Sequence, residues 1–289
     1  MRTLEAAEIT RAVAELAREA NYYLTEDIYH GLVRGRERET SPLGKEILNQ
    51  LVENACIARE DAVPICQDTG MAVVFMEIGQ AVRISGGELE AAVNAGVAQG
   101  YRQGYLRKSV VNDPLFTRKN TLDNTPAILH VRIVPGDEVR IQLAPKGFGS
   151  ENMSALRMLK PSDGVAGVKK FLLETVINAG ANPCPPIVIG MGIGGTMEKA
   201  AYLAKKALLR NIEVRNAHPL YAELETELLA LANKSGVGPQ GLGGKVTALA
   251  VNVEYYPTHI AGLPVAININ CHATRHAEVV LRGGPNNEA

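Results

Sequence analysis

Pro185-Pro186-Ile187-Val188-Ile189-Gly190-Met191-Gly192-Ile193-Gly194-Gly195 decides the fold class, because an apolar strand pattern runs into glycines and a helix pattern follows at Met197–Leu209. The β-branched run Ile187–Ile189 suits a pleated strand, and glycines let a helix backbone come close to it. Gly190, Gly192 and Gly195 also satisfy G-x-G-x-x-G, with Glu213 near the spacing of a ribose-binding acid. That raises a nicotinamide-dependent oxidoreductase as one reading. Against it, the next strand would be only Ile212-Glu213-Val214, and two prolines and Cys184 abut the first. Close helix–strand packing, or a helix N-terminus near an anion, is the reading the glycines favour.

Outward from this stretch, helices and strands alternate. Leu4–Ala20 places Leu4, Ile9, Val13, Leu16 and Ala20 on one helical face. Thr25-Glu26-Asp27 starts a helix over Ile28–Val33, and Ser41-Pro42 opens another through Glu60, with Ile47, Leu51, Ala55 and Ile57 as its apolar positions. The first part of the chain, about residues 1–62, is therefore expected to be helix-rich. Met71–Ile78 reads as a strand and Gly86–Gly104 as a helix, and the Pro/Asn/Asp-rich stretch Val111–Pro126 as a surface loop or flap. Ala127–Val134 and Val139–Leu143 read as strands joined by Pro135-Gly136-Asp137. Helices follow at Gly164–Ala179 and Tyr221–Lys234, and two last strands at Val246–Tyr255 and Val265–Asn270 close the chain. The pattern predicts one mixed α/β domain over 1–289, with a strand order that periodicity does not supply.

The bulk properties narrow the function. A chain of 289 residues with 46% apolar residues can bury a substantial core. A net charge of −1 gives no basic excess for nucleic acid. The start MRTLEAAEIT lacks the apolar core of a signal peptide, and no apolar run reaches spanning length, so a cytoplasmic protein without a membrane is expected.

The cysteines Cys56, Cys66, Cys184 and Cys271 are too few and too scattered for a disulfide scaffold. Cys56 sits inside a helix and reads as an ordinary thiol. The others stand at element ends: Pro64-Ile65-Cys66-Gln67-Asp68-Thr69-Gly70, Asn182-Pro183-Cys184-Pro185-Pro186 and Asn268-Ile269-Asn270-Cys271-His272-Ala273. Such ends are where rigid scaffolds place functional groups. Three thiolates there suit a metal centre. Zinc completed by His272 or His259 is one candidate, although no C-x-x-C pair is present. A four-iron cluster held at three corners, with one iron open to substrate, is another. A metal-stapled binding module without turnover is a third, and would hold zinc.

Cys66-Gln67-Asp68-Thr69-Gly70, Ala144-Pro145-Lys146-Gly147-Phe148-Gly149-Ser150, Cys184-Pro185-Pro186 and Asn270-Cys271-His272 together resemble the class I, iron–sulfur fumarases and the related L-tartrate dehydratase α subunits. The resemblance runs over nearly the whole chain and implies a [4Fe–4S] cluster on Cys66, Cys184 and Cys271. It also implies substrate contacts from Gln67, Asp68, Arg107, Gly149 and His259, with Asp68 and His259 as catalytic groups. Phe148 interrupts what is often a run of three glycines in that family.

The implied activity is reversible dehydration of (S)-malate to fumarate, with L-tartrate as the alternative. An arginine fork suits a carboxylate, and an open iron polarises a departing hydroxyl. Single-chain members carry a further C-terminal domain with more substrate-binding residues. This sequence stops shortly after Arg282-Gly283-Gly284-Pro285, so the resemblance implies a β subunit, as α2β2, and an oxygen-sensitive site.

Overall fold

The computed structural model describes residues 2–285. The two ends of the expected 1–289 domain lie outside the described residues. In chain order the elements are β1 (Arg2–Glu5), α1 (Ala6–Tyr22), α2 (Glu26–Arg38), α3 (Pro42–Asp61), β2 (Met71–Gly79), β3 (Val82–Ser85), α4 (Leu89–Gln103), β4 (Ile128–Val134) and β5 (Val139–Lys146). There follow α5 (Phe148–Glu151), β6 (Ala155–Leu159), α6 (Gly164–Ala179), β7 (Ile187–Gly194), α7 (Met197–Ala207), α8 (Pro219–Asn233), β8 (Ala248–Tyr256), β9 (Leu263–Asn270), β10 (Ala277–Leu281) and β11 (Gly284–Pro285). The fold is α/β, and the N-terminal stretch is helix-rich as its periodicity indicates. No helix among the described residues is long and apolar enough to cross a membrane.

The chain forms two compact units, each assembled from separated segments. Among the described residues, the first comprises 2–24, 57–147 and 275–285. Its larger sheet has the order β10-β5-β2-β4, with β2 antiparallel to β5 and parallel to β4. The strands read as joined by Pro135-Gly136-Asp137 are thus not a hairpin, because β2 lies between them. A small sheet, β11-β1-β3, pairs β1 parallel to β3. Leu4, Ile9, Val13, Leu16 and Ala20 are all buried, as their spacing requires, in a core shared with Val74, Met76, Val97 and Leu143. α1 and α4 pack closely at Gly96, where a Cβ would stand 2.7 Å from the Thr10 carbonyl oxygen. Only a residue without a side chain allows that approach.

The second unit comprises residues 25–56 and 148–274, around a sheet of order β6-β9-β7-β8. β7 runs parallel to β8 and antiparallel to β9. All of β7 is buried, which explains its continuous apolar character. The glycines of the G-x-G-x-x-G stretch lie largely within this strand. A Cβ on Gly190 would strike the Ala204 carbonyl of α7, and one on Gly192 the Ala200 carbonyl. Their role is therefore close helix packing. Glu213 pairs with Arg34 at 2.7 Å, so the dinucleotide reading is corrected by the strand's geometry and by that partner. In α3 the buried apolar residues include Leu48 and Val52 beside Ile47 and Ala55, whereas Ile57 is exposed. β8 and β9 do not close the chain, since β10 and β11 follow.

Candidate functional site

In the first unit the chain leaves α3 and enters β2 through the turn that carries Cys66, Gln67 and Asp68. Gly70 makes the turn possible: its φ is +71°, and a Cβ would stand 2.7 Å from main-chain atoms of Lys146. Three successive carbonyls of the turn are held by buried side chains. Arg275 donates to the Asp68 oxygen. The Tyr101 hydroxyl reaches the Thr69 oxygen at 2.7 Å and the Gly70 oxygen at 3.0 Å. Asn124 donates to the Gly70 oxygen at 3.1 Å. Side-chain donors here take the place of a sheet ladder in satisfying the backbone.

The same turn reaches Arg107. Thr69 Oγ1 donates to the Arg107 carbonyl at 2.9 Å, and Asn124 Oδ1 accepts from Ser109 N at 2.7 Å. Asn124 is fully buried at φ +65°, a conformation asparagine tolerates better than most residues. Arg107 and Gln67 are both exposed. Cys66 is half-buried and donates to Gln67 Oε1 at 3.3 Å. Asp68 Oδ1 accepts from Gly70 N at 3.0 Å, and a Cβ on Gly147 would stand 3.2 Å from Oδ2. Burial raises the Tyr101 phenol above its ordinary range, while the Arg275 cation lowers it and the Asp68 carboxylate raises it further. The structure thus gathers Cys66, Gln67, Asp68 and Arg107 about one braced turn. The Val111–Pro126 stretch has no helix or strand, only a bridge between Val111 and Asn120.

The second unit holds the other two cysteines at one end of its sheet. Cys184 precedes β7 and Cys271 follows β9, and Val188 pairs with Asn270. His272 joins the two segments: its N–H donates to the Cys184 carbonyl at 3.2 Å, and its Nδ1 lies 3.1 Å from the same oxygen. Gln240 gives both its main-chain N–H, at 2.8 Å, and its side-chain amide, at 2.7 Å, to the Pro185 carbonyl. Cys184 is exposed and held at φ +54°. That conformation costs a non-glycine residue about 1–2 kcal/mol and persists where its surroundings impose it. Gly149 is exposed on α5, where a Cβ would stand 3.6 Å from the Asn182 carbonyl. Cys56 lies 3.6 Å from the Tyr29 hydroxyl within the helical layer, an ordinary thiol contact.

His259 is the residue that geometry moves away. It follows β8 and precedes β9, so the length of β9 separates it from Cys271. At the usual rise, that strand spans roughly 25 Å. His259 therefore stands at the opposite end of the sheet from Cys184 and Cys271, and its Nδ1 accepts from Ala261 N at 3.2 Å. Conversely, Tyr101, Asn124, Arg275 and Gln240 hold the turns without having drawn attention as sequence.

Among the described residues, no group of three or more His, Cys, Asp or Glu side chains forms a ready ion site. Cys66, Cys184 and Cys271 are each an unburied thiol carried on a loop, the ligand type that iron–sulfur clusters take.

Comparison with known proteins gives a consistent result. Residues 10–280 match the family described as fumarate hydratase, or Fumerase. A Methanocaldococcus jannaschii protein provisionally named L(+)-tartrate dehydratase subunit alpha is 46% identical over 276 residues, covering 93% of this chain and 96% of its own. The L(+)-tartrate dehydratase subunit alpha of Escherichia coli O157:H7 is 32% identical over 276 residues, covering 95% and 91%. That of Shigella boydii serotype 4 is also 32% identical over 276 residues, with the same coverage. The match over most of its length, with the cysteine turns inside it, makes this chain a member of the fumarate hydratase family of hydro-lyases.

Proposed function

We propose that the chain is the cluster-carrying α subunit of a hydro-lyase that reversibly dehydrates a small hydroxydicarboxylate, with Cys66, Cys184 and Cys271 holding a [4Fe–4S] cluster. The observation that carries this is the braced turn, where a thiol, an amide, a carboxylate and the tethered Arg107 occur together in a chain of this family. When bound, the iron not held by cysteine supplies Lewis-acid chemistry for the hydroxyl that leaves.

The chain's own residues do the rest. Arg107 binds one substrate carboxylate as a planar fork. Gln67 orients the substrate by its amide, and Gly149 lets backbone approach it. Asp68 moves the C–H proton with its carboxylate, which the Gly70 N–H holds in place through Oδ1 at 3.0 Å. His259 is given no step. A partner β subunit supplies the remaining substrate contacts, in an α2β2 assembly located in the cytoplasm.

Two substrates are consistent with this reading. The family description favours (S)-malate and fumarate, and the names of the relatives favour L(+)-tartrate. The two acids differ by one hydroxyl. Anaerobic co-expression with the partner subunit, followed by assay of both acids, decides between them: the true substrate gives the higher kcat/KM by at least about tenfold. Turnover of neither would overturn the proposal.

A further inference from the structure

We propose that Arg275 is a positioning residue for the hydro-lyase reaction, holding the Cys66–Asp68 turn by its bond to the Asp68 main-chain oxygen. The proposal rests on the functional reading above and deepens it. Arg275 is 4% exposed, and Nε and Nη1 are enclosed with no hydrogen-bond partner among the described residues. Its remaining nitrogen, Nη2, donates to the Asp68 carbonyl.

Enclosure has two consequences. The guanidinium does not itself meet a substrate, so it acts through the main chain it holds. A cation taken out of water with donors left unpaired is also costly, and an apolar side chain of similar size would be cheaper if only packing mattered. Tyr101 and Asn124 already secure the Thr69 and Gly70 carbonyls. The Asp68 carbonyl is the one nearest Gln67 and the Asp68 carboxylate, and its hold falls to Arg275. Arg275 stands four residues after Cys271 in the chain.

The test uses the complete enzyme with Arg275→Gln and Arg275→Lys, read by kinetics, iron content and hydrogen exchange. In Arg275→Gln, kcat per bound cluster falls about 10- to 100-fold, as expected for a reacting group displaced by about an ångström. KM changes less than about threefold, iron content is unchanged, and amide exchange across Gln67–Gly70 rises about tenfold while β2 is unaffected. Arg275→Lys restores most of both effects. Unchanged exchange in Arg275→Gln overturns the proposal. So does faster exchange with unaltered kcat per cluster, or a loss of activity that merely follows lost iron or lost folding. Wild-type enzyme that turns over neither acid would sink the hydro-lyase reading instead, and the exchange rates would still decide whether Arg275 holds the turn.

Discussion

The two cysteine-bearing regions are fixed by different balances of side-chain bracing and backbone constraint. In the first unit the turn at Cys66 is held from outside its own segment, by Tyr101, Asn124 and Arg275 donating to consecutive carbonyls. In the second, Cys184 is constrained also by its own backbone, with prolines on either side and a left-handed φ, besides the carbonyls taken by His272 and Gln240. Side-chain bracing can be tuned by single substitutions at a distance. Proline-rich backbone constrains locally and yields less to any one of them. The residues expected to bind substrate, Gln67, Asp68 and Arg107, cluster on the braced turn. That is where small displacements matter most for chemistry.

Gly70→Ala should break the contrast most severely. The substitution forces a Cβ onto main-chain atoms at 2.7 Å in a positive-φ position, and should cost about 3 kcal/mol or more in denaturant unfolding.

Glu39→Gln tests the second unit by a different device. Glu39 is 1% exposed and its carboxylate accepts from Thr40, Ser41, Lys245 and Val246 N–H groups, the last two leading into β8. Burial alone raises the Glu39 pKa, but the four backbone donors outweigh it and hold the carboxyl below its usual value. The stability it contributes is therefore present above the ordinary carboxylate range and lost as pH falls through the lowered value. Glu39→Gln should cost about 2–3 kcal/mol at neutral pH and flatten this part of the acid dependence. An unfolding curve between neutral and acid pH with the same slope in both proteins would contradict it.

Tyr101→Phe removes the hydroxyl on two carbonyls of the first turn, and Asn124 still holds one of them. About 2 kcal/mol of stability should be lost, with kcat lowered more than KM is raised. Gln240→Ala, the counterpart on the second turn, should cost about 1 kcal/mol, because its main-chain N–H still meets Pro185. If Gln240→Ala proved the more damaging of these two, the distinction between braced and self-constrained turns would fail.

Much of this was legible in the sequence, for physical reasons that can be named. α1, α3 and α6 follow from local periodicity and from signals such as Pro42 at a helix start. β1, β3 and β11 did not, because short strands are defined by their partners: Arg2 pairs with both Val82 and Pro285. β10 escaped notice for the same reason, since its partner β5 lies far earlier in the chain. Cys66, Cys184 and Cys271 were marked by their neighbours, and Arg107 by resemblance. Arg275, Tyr101 and Asn124 were not, because donating to a carbonyl leaves no local pattern. His259 shows the converse relation of sequence to space. Its nearness to Cys271 in sequence becomes the length of β9 in space.

The most direct test of the account is anaerobic iron and acid-labile sulfide analysis of the purified chain, beside Cys66→Ser, Cys184→Ser and Cys271→Ser. About four of each per chain are expected, depleted in all three variants. Zinc, or no metal in material kept strictly anaerobic, would contradict it.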